Sequence, residues 1–141
     1  MKYYTVFLFT FLTSCMDNFN SSDSFSIYDF SFKTIDGTDF DMSSLKGKKV
    51  MIVNVASKCG LTPQYEQLEE LYNDYKHLNF EILAFPSADF ANQEFSDSEQ
   101  ISTFCSSTYG VSFTIFEKIK VIHSLNIIHK FCRFIIYICI N

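Results

Sequence analysis

The stretch Val50 to Ala56, VMIVNVA, constrains this 141-residue chain more than any other. It is apolar almost without a break, as expected of a central strand covered on both faces. Lys46, Lys48 and Lys49 bound it on one side, and Ser57-Lys58-Cys59-Gly60 on the other. A helix follows at once. Pro63 suits the first helical position with Thr62 as its N-cap, and Tyr65, Leu68, Leu71, Tyr72, Tyr75 and Leu78 recur at three- and four-residue intervals. Phe80 to Phe85 reads as a second strand ended by Pro86. Ser96-x-x-Glu99 forms a capping box for a second helix carrying Ile101, Phe104 and Cys105, closed by Tyr109-Gly110, and a third strand falls between Val111 and Val121. Strand, helix, strand, helix, strand predicts an α/β domain whose first two strands are parallel neighbours.

Ahead of that unit, weak alternation over Ile27 to Ile35 and the Asp36-Gly37 turn signal predict a short hairpin, with Asp41 to Gly47 as a connector. Residues 1–15, MKYYTVFLFTFLTSC, have the layout of a secretory signal and are too short to span a bilayer. Their ending, Leu12-Thr13-Ser14-Cys15, resembles a bacterial lipobox. It implies an extracytoplasmic protein with a lipid anchor at Cys15; a buried first strand, in a cytoplasmic protein, is the competing reading. The expected organisation is a signal over 1–15, a polar linker over 16–26, a domain over 27–121 and an atypical tail over 122–141. Residues 118–141 hold four basic and no acidic residues, and the tail's run FIIYICI (134–140) has no obvious partner. Eleven basic against sixteen acidic side chains, net −5, argue against nucleic acid as the main partner.

Five cysteines stand at 15, 59, 105, 132 and 139. None has CxxC spacing, which disfavours protein disulfide exchange, and none belongs to a Cys/His array that would bind zinc. Cys59 lies between the central strand and the first helix, where α/β proteins place ligand-handling groups. The helix N-terminus, with Lys58 adding positive charge, favours an ionised sulfur there, a nucleophile for peroxide or disulfide. A small buried hydrophobe at a strand end is the plainer alternative. Cys105 on the second helix is the candidate resolving thiol, although by position alone it reads as a core residue.

The segments NVASKCGLTPQYEQLEELY (54–72), FPSADFANQEF (85–95), ISTFCSSTYGVSF (101–113) and FEKIKV (116–121) together resemble the glutathione peroxidase family, in its cysteine-containing, thioredoxin-dependent branch. The resemblance implies a thioredoxin-like fold and reduction of hydrogen peroxide or organic hydroperoxides. It implies Cys59 as the peroxidatic cysteine, Gln93 as the amide that hydrogen-bonds the reacting sulfur and peroxide, and Cys105 as the resolving cysteine. An isolated Gln in a polar loop would otherwise read as surface. A resolving thiol implies reduction by a thioredoxin-like protein, with glutathione as the other candidate donor. No metal, nucleotide or haem cofactor is implied.

Ser87 stands where many family members have Cys, Ala88-Asp89 where Asn-Gln is common, and Thr114 where Pro is usual. Members also continue through a Trp-Asn-Phe motif that completes the site, two strands and a closing helix, whereas this chain has no Trp. The expected fold is therefore α/β and thioredoxin-like but incomplete at its C-terminal end, and marginal in stability, with FIIYICI as an aggregation-prone run. An inactive or unstable thioredoxin-fold remnant, at most a binding module, is the alternative to an active thiol peroxidase.

Overall fold

A computed structural model describes residues 26–89 and 91–121, together with the backbone of 135–137. The expected signal, Cys15 and most of the linker lie outside the described residues. The expected hairpin is present: β1 (Ser31–Lys33) pairs antiparallel with β2 (Asp39–Asp41) around the Asp36-Gly37 turn, where Gly37 has φ 85°. The connector after it is a 3-10 turn over Met42–Leu45, capped by the Asp41 carboxylate, which accepts from the Ser43 N–H at 2.8 Å.

The apolar run forms β3 (Lys49–Val55), joined through α1 (Gln64–Tyr75) and a 3-10 turn to β4 (Phe80–Pro86). β3 and β4 are parallel in unbroken register from Lys49 opposite Phe80 to Val55 opposite Pro86. α2 (Ser98–Tyr109) ends at Gly110 in the left-handed region, φ 64°, and leads into β5 (Thr114–Ile115), parallel to β4. Because side chains alternate along a strand, the sheet buries two distinct sets. Val53, Val55, Ile82 and Ala84 pack under α1 and α2, against Tyr65, Leu68, Ile101 and Cys105. Ile52, Leu83 and Phe85 pack against Met42, Leu45 and Phe116 on the opposite face, beneath the hairpin. That second face is aromatic: Phe116 stacks on Phe85 with centroids 4.4 Å apart, and Phe32 and Phe40 meet Phe116 edge-on. This is the α/β, thioredoxin-like arrangement that the sequence implies.

Four details differ from expectation. α1 starts at Gln64 with Pro63 as its cap residue, because the Thr62 hydroxyl is taken up by the loop before it. α2 is capped by Asp97, whose carboxylate accepts from the Gln100 N–H at 3.1 Å, while the Ser96 carbonyl accepts from Lys118 Nζ. The third strand is only two residues long, because the Glu69 carboxylate binds both the N–H and the hydroxyl of Ser112 ahead of it. Part of the tail also has a partner: β6 (Ile135–Tyr137) lies parallel beside β3, giving the sheet order β5-β4-β3-β6.

Candidate active site

The carboxyl end of β3 turns sharply at Ala56, and the turn is knit by one side chain. Thr62 Oγ1 accepts from the Cys59 N–H at 2.9 Å, and its own hydrogen faces the carbonyls of Ala56 at 2.8 Å and Cys59 at 2.7 Å. The Thr62 N–H closes the same turn onto the Cys59 carbonyl at 3.1 Å. Thr62 is 8% exposed, so these bonds lie away from water. The turn presents Cys59 as a half-buried thiol in no disulfide, whose Sγ accepts from the Leu61 N–H at 3.4 Å. The hydrogen-bond donor at the sulfur thus belongs to the tight turn that precedes α1. Lys58, expected to lend charge to this sulfur, instead sets its ammonium over the Phe95 ring, 4.1 Å from the centroid.

A second loop is fastened to the first. The Lys58 N–H donates to the Gln93 carbonyl at 2.8 Å, placing Gln93 beside the residue that precedes Cys59. The Gln93 side chain is half-buried, and its amide has no hydrogen-bond partner among the described residues. Next to it, Glu94 is 4% exposed; one oxygen accepts from the Ser57 N–H at 3.1 Å and the other from the Phe95 N–H at 2.8 Å. The approach to Gln93 runs through Ala91 and Asn92, both in the left-handed region at φ 52° and 54°. The sequence singled out Gln93 but passed over Glu94, Ser57 and Thr62. Glu94 had one visible signal, its adjacency to Gln93.

Cys105 lies deeper, fully buried in the cluster beneath the helices and free. Burial pushes its thiol above the ordinary value; the Tyr65 hydroxyl opposes that shift, and the negative charge of Glu94 adds to it. Cys59 and Gln93 are therefore brought together by paired loops, whereas Cys105 sits in the core as a protonated thiol. Among the described residues no cluster of three or more His, Cys, Asp or Glu could hold a metal ion, and no helix is long and apolar enough to cross a membrane.

Comparison with known proteins agrees with this fold. The family model for glutathione peroxidase matches residues 27–133. A glutathione peroxidase homolog BsaA of Halalkalibacterium halodurans is 53% identical over 96 residues, covering 68% of this chain and 61% of that protein. The glutathione peroxidase-like peroxiredoxin 2 of Saccharomyces cerevisiae is also 53% identical, over 68% of this chain and 59% of its own length. Among solved structures, T. cruzi GPX1 superposes with a TM-score of 0.53 at 38% identity, covering 70% of this chain and 58% of that one. The chain thus spans about three fifths of the length of the curated relatives it matches.

Proposed function

Since the chain belongs to the glutathione peroxidase family, we propose that it reduces hydrogen peroxide or organic hydroperoxides through Cys59, with Cys105 as the resolving thiol and Gln93 as a hydrogen-bonding group. The observation that carries this reading is the backbone bond from Lys58 to the Gln93 carbonyl, which ties the Gln93 loop to the turn bearing the half-buried Cys59 thiol. In the first step the Cys59 sulfur attacks the hydroperoxide and the O–O bond breaks. The sulfur retains one oxygen as sulfenic acid, and the other leaves as water or alcohol. In the second, the Cys105 sulfur displaces that oxygen as water and a Cys59–Cys105 disulfide forms. A dithiol reductant of the thioredoxin kind, or two glutathiones, returns both sulfurs to thiols by exchange. A buried resolving thiol favours the thioredoxin-like donor, which can act on a disulfide once it is formed. Export, with a lipid on Cys15, completes the reading; intact mass of the protein from cells, with Met1 retained or removed, tests that part.

The chemistry is tested with one equivalent of hydroperoxide. The expected product is lighter by two hydrogen atoms and carries a Cys59–Cys105 crosslink in peptide maps. Cys105→Ser should stop at the sulfenic acid or go on to sulfinic acid, and Cys59→Ser should end peroxide consumption. Peroxide turnover unchanged in Cys59→Ser overturns the mechanism. A chain that takes up no peroxide in any form supports the binding-module alternative.

A further inference from the structure

Glu94 is 4% exposed, and no lysine, arginine or histidine lies within ion-pair distance of it among the described residues. A buried carboxylate without a cation is costly, and such groups persist where the surrounding hydrogen bonds give them a task. Both of its oxygens are engaged. The bond from the Ser57 N–H reaches the Cys59 turn two residues ahead of the sulfur, and the local bond from the Phe95 N–H holds the Glu94 carboxylate against the backbone that follows Gln93. With the Lys58 N–H on the Gln93 carbonyl, the two segments are joined by alternating backbone and side-chain bonds.

Resting on the two-thiol reading above, we propose that Glu94 is a positioning residue for that reaction, holding the Gln93 segment in register with the Cys59 turn. Removing its second carboxylate oxygen breaks one of the two bonds, so Gln93 shifts relative to Cys59, and a displacement of about 1 Å can cost up to about a hundredfold in rate.

The test compares the full-length chain with Glu94→Gln and Glu94→Ala. Rapid mixing with hydrogen peroxide and a sulfenic-acid trap gives the rate of Cys59 oxidation, and denaturant titration gives the stability of each variant. Glu94→Gln, nearly the same size and shape, should lower the oxidation rate about tenfold. Glu94→Ala should do so more strongly; if it fails to fold, Glu94→Gln decides alone. A merely structural Glu94 would lower the melting midpoint but leave the oxidation rate of folded Glu94→Gln at the wild-type value, and that result overturns the proposal. A wild-type chain whose Cys59 is not oxidised overturns the two-thiol reading itself and takes this inference with it.

Discussion

Replacing Thr62 by Val should loosen the Cys59 turn while leaving its shape intact. The two side chains have nearly equal volume, so the change removes the hydroxyl alone. In a site 8% exposed, the Cys59 N–H loses its acceptor at 2.9 Å, and the carbonyls of Ala56 and Cys59 lose the single hydrogen they share. Two hydrogen bonds at about 1 kcal/mol each, with one buried carbonyl left short of a donor, give a loss of about 2–3 kcal/mol. A domain of this size is stable by about 5–15 kcal/mol, so the variant should fold and its urea midpoint should fall with an unchanged slope. Thr62→Ser keeps the hydroxyl and gives up one methyl, about 1 kcal/mol. Peroxide oxidation of Cys59 should slow in the Val variant and stay near wild type in the Ser variant, because only the former frees the Cys59 backbone. A Val variant within about 0.5 kcal/mol of wild type, or a Ser variant as unstable as the Val variant, would refute the clamp.

Three further outcomes follow from the same structure. The Asp36 carboxyl is held below its ordinary 3.8 chiefly by the Thr34 hydroxyl, and Asp41 chiefly by the Ser43 N–H. Both depressed values contribute stability in full above the ordinary carboxylate range and lose it as pH falls through the native values, so urea midpoints should drop between about pH 5 and about pH 2, less steeply in Asp36→Asn. Ala91→Gly should raise stability by about 0.5–1 kcal/mol, since a Cβ at φ 52° is strained and glycine is not; a loss in thermal midpoint would contradict this. Phe116→Ala should cost about 3–5 kcal/mol in denaturant titration, because Phe116 is fully buried against Phe85, Phe32 and Phe40.

The parallel pair β3 and β4 was legible because a strand covered on both faces must be apolar throughout, and few other structures demand that pattern. The ends of elements were less legible, since several groups compete for the same backbone donors. Thr62 and Asp97 are both good caps, but the Cys59 turn claims the Thr62 hydroxyl, and Asp97 displaces Ser96 one residue upstream. β5 is short because a glutamate from α1 binds the chain ahead of it, a long-range contact with no local signature. β6 was missed for a related reason: an apolar run announces a willing strand but not which edge receives it. Cys59 was visible through its flanking strand and helix. Glu94 was not, because a glutamate in a polar loop reads as solvated until its burial is known.

Cys105 meets two demands that pull in opposite directions. As a core residue it belongs where it is, at 0% exposure beside Val53, Tyr65 and Ile101. In the proposed role of resolving thiol it must bring its sulfur to a bond length of about 2.05 Å from Cys59, and here the two are not joined in a disulfide. α2 holds to the core through Ile101 and Cys105, its fully buried side chains, and through the half-buried Phe104 and Tyr109. Withdrawing such a set costs roughly 5–8 kcal/mol, which leaves the open form populated at about one part in a hundred thousand. Local openings of that kind recur on microsecond to second timescales, fast enough to supply a resolving thiol once a sulfenic acid is waiting. Meanwhile the loops bearing Cys59 and Gln93 are cross-bonded by Thr62, Glu94 and the backbone, so they keep their geometry while α2 opens. On the proposed reading, the half of the site that meets peroxide is held rigid, and the resolving half rests on a helix held to the core by a handful of side chains.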